Sequence, residues 1–230
     1  MKRKVLVAIT TFVLALACSF TTYAAGWVKD DIGWYYAYSD NSYAKSGIRN
    51  IDGVDYCFND AGYMVTGWQY TNYNSYGWYY FQPDGSKKTG WLNENNKWYY
   101  LDPANGGKMH THWLDIGSKR YYMREDGSMA TGKFELGSDF VDNKLSYYAD
   151  PSTGEIYKNK KTKETKSNGE VVEIRYDDTG VIRYRTAKTI AKAKETGDKD
   201  DEWVTSLSNF ERDSRKERAR EDEEANISDE

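Results

Sequence analysis

Between Gly26 and Tyr157 the apolar residues fall in short aromatic runs, among them Trp34-Tyr35-Tyr36, Trp78-Tyr79-Tyr80 and Trp98-Tyr99-Tyr100, each bounded by polar turn residues. Runs of this length and composition predict β-strands. Side chains alternate faces along a strand, so Trp98 and Tyr100 point one way and Tyr99 the other. The clearest copy of the pattern is Gly90–Met109: a Gly-Trp step, a polar spacer, Trp-Tyr-Tyr, a turn of Asp, Asn and Gly, then a Met. Pro83-Asp84-Gly85, Asn105-Gly106 and Asp126-Gly127 supply the turn chemistry of hairpins. A single two-stranded hairpin is marginal in water, so one copy must stack on its neighbours.

The copies open at Gly26, Gly47, Gly67, Gly90, His112 and Gly132, with spacings of 21, 20, 23, 22 and 20 residues. One supersecondary unit per repeat fits that period. The expected fold is therefore all-β, a solenoid of about six stacked hairpins over residues 25–157. Residues 158–169, KNKKTKETKSNG, lack apolar periodicity and read as a linker. Residues 170–185 read as a further hairpin, an aberrant seventh repeat or a cap, with Val172, Ile174 and Tyr176 alternating before the Asp177–Gly180 turn. Thr186 can cap a short helix ending at Gly197, and Trp203, Leu207 and Phe210 are spaced as the apolar stripe of a second. The remainder of 186–230 is a charged tail, helical or disordered.

Composition sharpens this division. Seven of the eight tryptophans lie between Trp27 and Trp113, so the repeats can build a core and the tail mostly cannot. Residues 1–24 have the layout of a secretory signal peptide: Lys2, Arg3 and Lys4, an apolar run from Val5 to about Phe20, then small residues ending at Ala24. The run is shorter than a membrane span requires. A lipid on Cys18 is a minority alternative, because Ala15-Leu16-Ala17 only partly resembles a bacterial lipobox. Cleavage after Ala24 removes three positive charges and no negative one, moving the formal charge from −4 to −7. The acidic product carries no basic footprint for nucleic acid and retains no membrane span. It also retains one cysteine, Cys57, so no intramolecular disulfide is available.

The Gly-Trp openings, the Trp-Tyr-Tyr runs, the Gly-x-Met turns and Thr66-Gly67-Trp68 and Thr89-Gly90-Trp91 resemble the cell-wall-binding repeats of Gram-positive surface proteins, of choline-binding or glucan-binding type. The resemblance covers roughly Gly26 to Tyr157. It implies β-hairpins stacked as a left-handed superhelix, with ligands in grooves between consecutive repeats and any catalytic domain outside them. It further implies that a groove is made by the Gly-Trp tryptophan, the first aromatic of the Trp-Tyr-Tyr run and an aromatic of the next repeat. Carried over, Trp68, Trp78 and Tyr100 make one site, and Trp91, Trp98 and Tyr122 another. Trp27 and Trp34 make a weak or absent third, because Cys57 stands where their partner is expected. Ile48 and Asp55 spoil the second copy, and Arg120 beside Trp113 would repel an ammonium ligand.

Aromatic rings suit such a ligand independently of the resemblance. A quaternary ammonium donates no hydrogen bond but is attracted to ring faces by about 0.5–2 kcal/mol per contact. The same faces stack on sugar rings, so choline and glucan are not separated by aromatics alone. Most single Trp and Tyr residues here read first as core, and Met64, Met109 and Met129 as packing residues; the ligand reading rests on paired tryptophans recurring on one template. No nucleophile-base pair, phosphate-binding loop or zinc-cysteine pattern is present. His110, His112 and Asp115 form a tempting metal set, but His112 occupies a repeat's Gly position, and substitution drift is the simpler account. No metal or cofactor is expected.

The expected function is that of a secreted, non-catalytic, cell-wall-associated protein that binds wall polymer, choline-bearing teichoic acid or glucan, through inter-repeat aromatic sites. The absence of a C-terminal hydrophobic sorting segment points to non-covalent retention. The alternative is a surface scaffold or adhesin whose C-terminal module binds another protein. A wall-modifying enzyme ranks last.

Overall fold

The computed structural model describes residues 24–73, 75–137, 144–197, 203–207, 209, 210 and 215. The expected signal peptide, Cys18 and most of the charged tail lie outside them. Among the described residues there are seven antiparallel hairpins. Their strands are Gly26–Lys29 with Trp34–Ala37, Gly47–Ile51 with Val54–Phe58, Gly67–Asn72 with Tyr76–Phe81, Gly90–Glu94 with Lys97–Asp102, His112–Ile116 with Lys119–Met123, Gly132–Leu136 with Leu145–Ala149, and Lys160–Thr165 with Val171–Tyr176. After each turn the chain folds back onto the second strand, as the short strands Met64–Val65, Lys108–Met109 and Ile182–Arg185 or as single bridges at Tyr43, Lys87, Met129 and Ile156. The one regular α-helix among the described residues is Ala187–Thr196, and none there is long and apolar enough to cross a membrane.

The chain divides into two compact units, Met1–Tyr76 with Tyr80–Lys87 and Gly77–Tyr79 with Lys88–Glu230. Each is built by the same means. The period-2 alternation turns Tyr79 and Phe81 fully inward while Trp78 stays exposed, and the last inward position of the second strand is buried repeatedly, as Phe58, Leu101, Met123 and Ala149. In the first unit Tyr36, Ala44, Ile51 and Phe58 form a cluster with Trp27 and Met64 against it. In the second, Leu114, Tyr121, Met123 and Met129 form another, with Trp91 and Tyr100 against it.

Consecutive hairpins interlock at their turns. Within each unit, turn glycines sit in a left-handed conformation, and the space the β-carbon would fill is taken by the side chain that follows the previous repeat's turn. Tyr43 lies against Gly62 and Met64 against Gly85 in the first unit; Met109 lies against Gly127, Met129 against Gly154 and Ile156 against Gly180 in the second. Backbone bonds run alongside, from Lys87 N to Asp55 O, Met129 N to Trp98 O and Ile156 N to Arg120 O, each 2.8 Å. The aspartates shape these turns: Oδ1 of Asp40, Asp84 and Asp126 each accepts from the backbone N and the hydroxyl of the Ser two residues on.

Two expectations are corrected. Residues 158–169 are not a linker, because Lys160–Thr165 is a strand paired in register with Val171–Tyr176. The hairpin expected over 170–185 is thus the second and third strands of a seventh repeat that begins earlier, and Ile156 against Gly180 locks it to the sixth. The strand escapes the apolar pattern because only Thr162 along it is even half-buried; pairing with an amphipathic neighbour makes it a strand. Second, Trp203 is not on a helix with Leu207 and Phe210. Val204 is extended and exchanges two backbone bonds with Tyr184, of 2.8 and 2.9 Å, and helix begins only at Leu207. The helix expected after Thr186 is present, with Thr186 and Thr189 capping each other and Gly197 closing it at φ +73°.

The interlock is testable at Gly127, whose φ of +78° is unfavourable for any residue with a β-carbon and whose missing β-carbon admits Met109. Gly127→Ala should destabilise by about 2–3 kcal/mol, from left-handed strain and displacement of the methionine. Urea unfolding checks it, and a loss below 0.5 kcal/mol (about the noise of a surface change) would show that the contact is incidental.

Candidate aromatic binding site

Trp91 lies opposite Tyr100, and Asn93 opposite Trp98, in the fourth hairpin. Because strand residues two apart share a face, Trp91, Trp98 and Tyr100 come together on the side away from Leu101. The Trp91 and Trp98 rings are nearly perpendicular, 87° at 6.3 Å between centroids, and Tyr100 meets Trp91 edge-on at 5.1 Å. The third ring comes from the next repeat, and it is Tyr121, at 5.0 Å and 70°. Tyr122, expected in that role, instead packs on Trp113 of its own hairpin at 5.0 Å and stacks on Phe134 at 5.3 Å. Trp98 keeps 43% of its surface exposed, whereas Trp91 is half-buried against the core cluster.

The same relation recurs. Trp27 meets Tyr56 at 4.7 Å, and Trp113 meets Tyr147 at 5.0 Å. In each case the next repeat contributes the first of its inward-facing aromatics, one residue before the position expected from the resemblance. Trp27 therefore does not lack a partner for want of a ring at Cys57: Tyr56 and Phe58, on either side, both reach it. Cys57 itself is buried, and burial pushes its thiol up to about 11, the state of a packing residue and not of a nucleophile. Of the other expected members, Trp34 and Trp78 are exposed, and Trp68 packs edge-on against Tyr80 at 5.3 Å. Trp68 belongs to the first unit, Trp78 and Tyr100 to the second.

What distinguishes the grooves is the chain's own positive charge. The Lys29 ammonium stands 5.7 Å over the Trp34 ring. The Arg120 guanidinium stands 5.2 Å over Trp113, fixed by Asp115 through bonds of 2.8 and 3.0 Å that hold the Asp115 carboxyl below its usual range. The Trp113 ring face is thus already covered by a cation of the chain. Among the described residues, none lies over Trp91 or Trp98. In the second repeat, where Asp55 takes the place of a tryptophan, Lys87 pairs with Asp55 and sits 3.8 Å from the centre of the Tyr73 ring. Sequence reasoning had counted Asp55 as a lost ring; the signal it missed was the Lys87 that replaces a turn methionine and answers it.

The two histidines take separate partners. His110 Nε2 meets the Trp113 carbonyl at 2.9 Å, and His112, at φ +68° in the glycine position, meets Glu125 at 3.1 Å. Among the described residues no group of three His, Cys, Asp or Glu side chains is placed to hold a metal.

Burial pushes the Asp55 carboxyl up, but hydrogen bonds from Lys87, Asn50 and Tyr73 outweigh it and hold the group below the ordinary value of 3.8. A carboxyl depressed by folding adds stability above its unfolded pKa and loses it as the pH falls through the folded one. Lys87→Met, which restores the repeat's usual residue, should nevertheless cost about 3 kcal/mol at pH 7 because Asp55 is left buried without its cation. It should also flatten the acid limb of the stability curve below pH 4 (roughly the carboxylate range). Chemical denaturation across pH 3–7 measures both, and a variant as stable as the parent at pH 7 would contradict this account.

Comparison with known proteins places these repeats. Residues 72–113 match a choline-binding repeat model, and residues 111–129 a cell wall binding repeat model of the same class. Choline binding protein F from Streptococcus pneumoniae superposes with a TM-score of 0.54 at 32% identity, over 69% of this chain and 47% of that one. CbpJ from Streptococcus pneumoniae TIGR4 does so with a TM-score of 0.54 at 32% identity, over 69% and 52%. A structure of choline binding protein F in the presence of a peptidoglycan analogue, a tetrasaccharide-pentapeptide, gives 0.55 at 30% identity, over 69% and 52%. This chain spans about half the length of these relatives. No curated protein sequence matches it.

Proposed function

We propose, for a chain whose repeats are of the choline-binding, cell-wall-binding kind, that it attaches to the bacterial envelope by holding choline groups of wall polymer between repeats. The site is Trp91 and Trp98 of the fourth repeat with Tyr121 of the fifth, and Tyr100 supports Trp91. One observation carries the reading: two indole rings at 87°, one of them open to solvent, present faces that no cation of the chain covers among the described residues. Such a corner surrounds a trimethylammonium group with electron-rich surface, which suits a charge unable to donate hydrogen bonds. Choline is favoured over glucan because rings of the first and fifth repeats already hold an ammonium or guanidinium group of the chain over their faces.

The chain is read as secreted and non-catalytic. The turn carboxylates are engaged by backbone and hydroxyl donors, which leaves them poorly placed for acid–base work. A role for the C-terminal module in binding a protein partner remains the second reading, favoured by Trp203 being tied to the seventh repeat through Val204 and so presenting the following helix from a fixed point.

Trp98→Ala should weaken choline binding at this site at least tenfold (about 1.4 kcal/mol) while costing less stability than Trp91→Ala, because the side chain keeps 43% of its surface exposed. Trp91→Ala should lose both binding and stability. Calorimetric titration with choline and retention on choline-bearing walls measure the effect. The assignment is wrong if Trp98→Ala binds as the parent does, and the ligand is wrong if soluble glucan, but not choline, releases the protein from walls.

A further inference from the structure

The seventh repeat keeps the hairpin but changes the chemistry of the ring positions. Where the fourth repeat pairs Trp91 with Tyr100 and the fifth Trp113 with Tyr122, the seventh pairs Lys161 with Arg175, and Arg175 in turn lies opposite Arg183. Three cations thus stand in a row across three strands. Like charges directly opposite each other destabilise a sheet unless something answers them. The next row on the same face shows the ordinary answer: Glu173 stands between Lys163 and Arg185 and bonds both, at 3.0 and 2.7 Å. The row of Lys161, Arg175 and Arg183 has no carboxylate at its centre. Asp177 reaches only Arg183, at 3.4 Å, and spends its other oxygen on Thr179 and Val181.

Beside this row is a cleft of about 360 Å³ lined by Asn159, Lys161, Arg175, Tyr176, Asp177 and Asp178. Arg175 stands there with its guanidinium 4.8 Å from the Trp203 ring. Its Nε is buried and has no hydrogen-bond partner, a costly state for a charged donor. We infer that this cleft binds a phosphodiester, with the Arg175 guanidinium as the planar fork, Lys161 as a second positive charge and the Asn159 amide as a neutral donor. A guanidinium pre-oriented on a ring loses little entropy on meeting a phosphate and can contact two oxygens at once. The charge favours a monoanion. The lining sets Lys161 and Arg175 against Asp177 and Asp178, and Arg183, bonded to Asp177 outside the lining, adds one net positive charge, which a diester balances and a monoester dianion exceeds.

The test uses the full chain and two probes, dimethyl phosphate as an isolated diester and a poly(glycerol phosphate) chain as a polymeric one, with inorganic phosphate for comparison. Trp203 fluorescence and the Arg175 Nε–H resonance should change saturably with the diester, more weakly with inorganic phosphate, and the response should fall with salt. Lys161→Glu and Arg175→Lys should each weaken binding at least tenfold, the second because it keeps the charge and loses the fork. Choline binding at Trp98 should be unchanged in both, so failure here is separable from failure of the choline site. Tighter binding of the polymer than of the isolated diester identifies a chain of phosphodiesters as the source; equal binding identifies the single group. No saturable response, or one that Lys161→Glu leaves intact, overturns the inference. So does binding seen only after Asp200, Asp201 and Glu202 are neutralised, since the row would then serve as a counter-charge for the chain itself.

Discussion

The structure depends on one contact made repeatedly, a long side chain from one repeat seated where the next repeat's turn glycine has no β-carbon. It couples a conformational requirement to a packing one. The tight turn needs positive φ, which selects glycine, and glycine then leaves the hole that Met64, Met109, Met129 or Ile156 fills. A backbone bond alongside, such as Met129 N to Trp98 O, fixes the stagger between hairpins. Since a lone hairpin cannot stay folded, each repeat is stable only as a neighbour's partner.

Because the interlock sits at the turns, the positions between them are free to change. The sixth repeat has lost its Gly-Trp tryptophan to Lys133, and the seventh has lost every ring of the pattern's outer face, yet both remain in the stack through Ile156, Gly154 and Gly180. Several of the changed positions carry cations. Arg120 covers Trp113, Lys87 answers Asp55 beside Tyr73, and Lys161 and Arg175 replace a ring pair outright. The attraction between a cation and a ring face is the same whether the cation arrives as a ligand or belongs to the chain. A ring face holding the chain's own cation is satisfied without a ligand, and the Trp91 and Trp98 faces of the fourth repeat hold none among the described residues.

This arrangement also places different chemistries along one scaffold. The Trp91–Trp98 corner lies in the fourth repeat, and a basic cleft lies in the seventh. Trp203, brought beside Arg175 and Arg185 at 4.8 Å from each, ties the C-terminal segment to that cleft.

The sequence by itself determined whatever is local. Gly, Asp and Asn at fixed offsets set the turns, and alternation in Trp-Tyr-Tyr set which rings point in, so the hairpins, their phase and the Trp91–Trp98 pair were legible without coordinates. Thr186 and Gly197 likewise bounded the helix, because capping is a matter of residues three apart. Tertiary structure decided what depends on a neighbour. Lys160–Thr165 carries no apolar signal and is a strand only because Val171–Tyr176 offers it an edge. Trp203 follows helical spacing but is held extended by two bonds to Tyr184. That Tyr121 and not Tyr122 closes the site follows from the stagger between hairpins, which no single repeat encodes. Which rings are already covered by Lys29, Lys87 or Arg120 was equally beyond the pattern, since a long flexible cation can reach several rings and only packing selects one.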